Sequence, residues 1–108
     1  MQHGSTYTLD DNQISLSGIL TIDSLDKKCL HDLFSACAEA KKKMHIHCEN
    51  IEKIDCAGIA LLLECIKICK QQKKKCQIHD FPDKMMDLTA LYLHPKQLSL
   101  FYDAQKSC

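Results

Sequence analysis

Asp55-Cys56-Ala57-Gly58-Ile59-Ala60-Leu61-Leu62-Leu63 decides how the rest of this 108-residue chain is read. The stretch has the pattern of a strand-to-helix turn. Asp55 is placed to cap the following helix by accepting a backbone N–H, and Gly58 lets a second backbone come close. The helix macrodipole then polarises whatever stands at position 56, which here is a thiol. Such a turn either does chemistry or docks a partner.

The helix it opens is predicted to run from about Ala57 to Lys74. Ile59, Leu62, Leu63, Ile66 and Cys69 make one apolar stripe, Leu61, Cys65 and Ile68 a second, and Glu64, Lys67 and Gln71 a narrow polar seam. One stripe must face a sheet. The second either packs between neighbouring helices or continues the Asp55 turn as an exposed docking surface. Taken as a docking surface, it assigns partner binding to Asp55, Cys56, Ala57, Gly58, Ile59, Leu61, Leu62 and Cys65. Leu61→Asp or Cys56→Lys is then expected to abolish binding and spare the fold.

Upstream, Thr6 to Asp10 and Gln13 to Ile19 alternate around the turn-forming Asp10-Asp11-Asn12, as an antiparallel hairpin does. Asp23-Ser24 is read as the cap of an amphipathic helix from about Leu25 to Lys41. Met44 to Cys48 alternates again, with His45 and His47 on the wet side, and Cys76-Gln77-Ile78-His79 repeats the pattern. Phe81-Pro82-Asp83 opens a third helix through about Tyr92. The fold class is α/β, in the order β-β-α-β-α-β-α: a mixed sheet with an N-terminal antiparallel hairpin and helices mainly on one face. One domain covers residues 1–108, its core over 5–95; the tail 96–108 stays open between a short helix and an edge strand.

Composition narrows the function. Acidic and basic residues balance at 14 each, and every basic residue is Lys, so the chain lacks the guanidinium forks and positive field that nucleic-acid recognition uses. The longest apolar run, Ile59 to Leu63, is far too short to cross a bilayer, and Met1 to Thr6 has no leader pattern, so a cytoplasmic protein is expected. Of eight cysteines, six read as small core hydrophobes in a reducing compartment, with Cys56 and Cys108 apart.

Three further features have ordinary explanations. Nothing near Cys56 in sequence supplies a base, so no catalytic residue is assigned. His45, His47 and His79 share a face if their strands are neighbours, but polar residues are what a wet sheet face carries, and no metal is assigned. Lys41-Lys42-Lys43 and Lys73-Lys74-Lys75 suit helix C-termini, with contact to anionic headgroups a secondary reading.

With that order of elements and Ile54-Asp55-Cys56-Ala57-Gly58-Ile59-Ala60-Leu61-Leu62 in place, the chain resembles the STAS domain family over nearly its whole length. The family signature is a strand, Asp, Ser or Thr, a small residue, Gly and an apolar helix start. Ile54 through Lys70, Lys84-Met85-Met86-Asp87-Leu88-Thr89-Ala90-Leu91-Tyr92 and the stop after Pro95 look most like the small MlaB-like STAS subunits of Mla phospholipid-transport ABC transporters. That likeness implies a subunit without cofactor or catalysis that binds the transporter ATPase at the cytoplasmic face of the inner membrane. It leaves a homodimer of the free protein open. Cys56 departs from the pattern, since antagonist-type members carry a phosphorylatable Ser there and Mla-type members usually a Thr. A thiol is no substrate for Ser/Thr kinases, which favours permanent docking over the alternative, an anti-sigma-factor antagonist or related switch.

Overall fold

Ile14 and Leu16 are buried while Gln13 and Ser15 are exposed, so the alternation in the second strand sets which face of the sheet meets the core. The computed structural model describes residues 5–106, and side chains from Tyr7 onward. β1 (Ser5–Asp10) and β2 (Gln13–Leu20) pair antiparallel across a two-residue turn in which Asp11 takes φ 49°, a left-handed conformation that Asp tolerates. β3 (Met44–Ile54) and β4 (Cys76–His79) then add in parallel, giving the order β1-β2-β3-β4. The mixed sheet with its N-terminal hairpin is the one expected.

β3 is much longer than the alternating Met44 to Cys48 predicts. Its register against β2 shifts between Ser15 and Ser17 and again between Gly18 and Ile19, which breaks the period-two pattern and hides the second half from a sequence reading. Ile51 and Ile54 are nonetheless buried, so the strand carries the chain all the way to Asp55.

α1 (Lys27–Ala38) starts later than Asp23-Ser24 suggests, because Ser24 is spent on a local turn. Its Oγ accepts the Thr21 N–H at 2.9 Å and donates to the Ile19 carbonyl at 2.6 Å, and Asp26 caps the helix instead, accepting the Cys29 N–H at 2.8 Å. α2 (Cys56–Gln71) ends three residues short of Lys74. Lys73 adopts φ 59°, its N–H donates to the Lys70 carbonyl, and the Lys74 N–H reaches back to the Cys69 carbonyl at 2.9 Å, which is the Schellman pattern of a terminating helix. The expected third helix divides into a 3₁₀ turn (Asp83–Met85) and α3 (Met86–Tyr92). The tail left open by the sequence is a helix, α4 (Pro95–Gln105), with Pro95 in its first turn and the fully buried Phe101 meeting Phe81 edge-on at 5.1 Å.

α2 is the hub. It packs against α1, α3, α4, β3 and β4, and Ile59, Leu62 and Cys69 are fully buried in the single core that also takes Ile14, Met44, Ile46 and Cys48 from the sheet. Of the six cysteines read as core residues, Cys29, Cys37, Cys48, Cys65 and Cys69 are buried and Cys76 is half-buried. Cys108 lies outside the described residues. Burial pushes the Cys48 thiol up to about 12, which keeps it a neutral packing group.

Candidate functional site

β3 delivers Asp55 to the start of α2, where its carboxylate joins two loops. Oδ1 accepts the N–H groups of Ala57 at 2.8 Å and Gly58 at 3.3 Å, and Oδ2 accepts the Ile22 N–H at 3.0 Å from the β2–α1 connection. Partial burial raises its carboxyl pKa, yet the donors of Ile22, Gly58 and Ala57 outweigh that and hold it below the ordinary carboxylate range. The loop from residue 21 to 26 is thereby fixed beside position 56.

Gly58 has a separate reason to be glycine. A Cβ there would lie 2.4 Å from the Leu20 carbonyl oxygen and 2.5 Å from Ile54 Cγ1, so the first turn of α2 sits against the ends of β2 and β3 with no room for a side chain. Asp55 and Gly58 therefore build the turn. What it displays is residue 56.

The structure corrects the extent of the surface expected from the sequence. Gly58, Ile59, Leu61, Leu62 and Cys65 are all buried by the chain itself, Leu61 to 3% and Cys65 to 2% exposure. Leu61 and Cys65 of the second apolar stripe of α2 do not face outward and Ile68 is half-buried, because α1 packs on α2: contact with the Cys65 and Cys69 thiols, with burial, raises the Cys37 thiol of α1. Leu61→Asp therefore cannot serve as a surface variant. Of the expected residues, Cys56 is exposed and Asp55 and Ala57 are partly so.

Ile22 completes the accessible surface, and the sequence reading did not select it. It is 68% exposed on the loop stapled by Asp55, which makes it the second most exposed large apolar side chain among the described residues. Its signal was a lone apolar residue in a polar connection. With Cys56, Ala57 and the partly exposed Ala60 one turn on, it forms a ledge of small and apolar groups against which another backbone can come close.

The three strand histidines are also brought together, at the other half of β3. His45 Nδ1 lies 2.8 Å from His79 Nε2, His47 Nε2 lies 2.6 Å from Gln13 Oε1, and the His47 and His79 rings stack at 4.8 Å. Desolvation first, then the neighbouring His47 and His45, lowers the His79 pKa. Among the described residues no group of three or more His, Cys, Asp or Glu side chains is arranged to hold a metal ion.

No helix is long and apolar enough to cross a membrane among the described residues. A comparison with curated proteins finds no match. A family model described as the MlaB STAS domain does match, over residues 5–93, which takes in every strand, α1, α2 and α3. With a four-stranded mixed sheet, an Asp-capped α2 and Gly58 locked under it, the chain belongs to the STAS domain family, in its MlaB-like branch.

Proposed function

We propose that this chain is a non-catalytic STAS subunit that binds and supports the ATPase of an inner-membrane ABC transporter for phospholipid, on the cytoplasmic side. Membership of the MlaB-like family supports the reading. The observation that carries it is the ledge at the start of α2: Cys56 exposed on a turn held rigid by three backbone N–H donors to Asp55, with Ile22 standing beside it. A rigid apolar surface at a turn already ordered by its own hydrogen bonds costs little entropy to dock.

The test is co-expression of the chain with the ATPase subunit of a phospholipid ABC transporter from the same organism, followed by co-purification and measurement of ATP hydrolysis. Stable association and a higher ATPase rate with the chain present are expected. A chain that co-purifies instead with a serine kinase, and whose Cys56→Ser variant that kinase phosphorylates, is a sigma-factor switch and the transporter reading fails.

A further inference from the structure

The basic residues of this net-neutral chain are unevenly placed. Lys43, Lys70, Lys74, Lys75 and Lys106, drawn from the entry to β3, the end of α2, the α2–β4 loop and the end of α4, surround one groove of about 400 Å³. Its apolar lining is Ile66, Leu100, Ala104 and the half-buried Cys76. The one carboxylate in the lining, Asp103, is held by Lys106 at 3.4 Å, and among the described residues Lys43, Lys70, Lys74 and Lys75 are in no ion pair. Helix C-termini account for cations at this pole of the fold. They do not account for a concave apolar surface beneath them.

From this we infer that the groove between α2, β4 and α4 binds a single-chain anionic amphiphile, a phosphate monoester or carboxylate head bearing one acyl or alkyl chain. The groove falls in the size range of small-molecule sites, and such sites pair an apolar lining with a few placed charges. If a methylene takes about the volume of one liquid water, about 30 Å³, a chain of about eight carbons uses a little over half of the space and leaves room for the head at the rim. Lysine ammonium groups, compact and mobile on flexible stems, suit a head without a fixed planar fork. A bilayer surface would need apolar side chains standing proud of the lysines, whereas Ile66 and Ala104 are buried below them. The inference is independent of the docking ledge, which lies at the opposite end of α2.

The experiment uses the full chain and monodecyl phosphate below its micelle concentration, followed by calorimetry and by the methyl signals of Ile66 and Leu100. Saturable one-to-one binding is expected, weakened at least tenfold in Lys70→Glu/Lys74→Glu, which melts as the parent does, and in Leu100→Ser. Leu100 packs against the core, so that variant is measured at a temperature where its methyl spectrum shows it folded. Decyl maltoside, with the same chain and no charge, and inorganic phosphate, with the charge and no chain, are both expected to bind at least tenfold more weakly. Inorganic phosphate binding as tightly as monodecyl phosphate would reduce the groove to an anion site and overturn the inference. So would unchanged binding in both lysine and leucine variants. Capture by phosphatidylglycerol vesicles, or by an acidic peptide, without binding of the soluble amphiphile would assign the lysines to a membrane or a protein and overturn it equally.

Discussion

Gly58 and Lys73 are the two residues whose backbone surroundings make the sharpest demands. A methyl group at position 58 meets the Leu20 carbonyl at 2.4 Å, and a backbone oxygen cannot swing aside as a flexible side chain can. Gly58→Ala is therefore expected to destabilise the fold by about 2–3 kcal/mol, in the range of overpacked cores, measured as a loss in chemical denaturation. Lys73 presents the opposite case. It holds φ 59° at the end of α2, where glycine is the usual residue, so Lys73→Gly is expected to stabilise by about 0.5–1 kcal/mol. Asp55 was legible from its place before an apolar run, because capping depends on neighbours two and three residues away. The bond from Ile22 to Asp55 spans 33 residues, and no local pattern announces it. That is why the exposed partner of Cys56 went unread.

Among the elements, α2 shows how far a periodic pattern reaches. Its two apolar stripes were plain in the sequence, but which neighbour covers each depends on where α1 lands, and that is a tertiary fact. The outcome separates two variants. Leu61→Asp is expected to unfold the protein, since it puts a carboxylate at a 3% exposed site in the hydrophobic core, while Cys56→Lys is expected to melt as the parent does. Circular dichroism melting distinguishes them. The histidine cluster on β3 and β4 makes a further demand. His79 has its pKa lowered from 6.5 in the fold, so the folded state binds fewer protons there than the unfolded chain. Its contribution is complete above 6.5 and lost as pH falls below that value. His79→Gln is expected to flatten the decline in stability as pH falls below about 6.5, and a variant whose decline matches the parent's would show His79 to be silent. The face these histidines share was legible from alternation alone. The 2.8 Å contact of His45 with His79 needed the β3–β4 register, in which His45 stands opposite Gln77 and His47 opposite His79.

Over the whole molecule, parallel crossovers gather unlike things at opposite poles. Strand β3 leads into Asp55 and the ledge of Ile22 and Cys56 at one end, and α2 leads into the lysine-lined groove at the other. Net charge, zero for the chain, conceals this polarity because the groups cancel only in the sum. The order of elements and the mixed sheet were readable because each strand and helix carries its own period. The length of β3, the split after Pro82 and the helix over Pro95–Gln105 were not, since each is settled by register shifts or by packing of residues such as Phe101. The most direct measurement is the affinity of the proposed partner, the transporter ATPase, for Cys56→Lys and Ile22→Asp, two variants whose changed side chains already face solvent. Each is expected to weaken binding by at least a hundredfold, about 2.8 kcal/mol at the factor-of-ten equivalence of about 1.4 kcal/mol, with melting unchanged. Parent-like affinity in both, with the fold intact, would contradict a ledge built for docking.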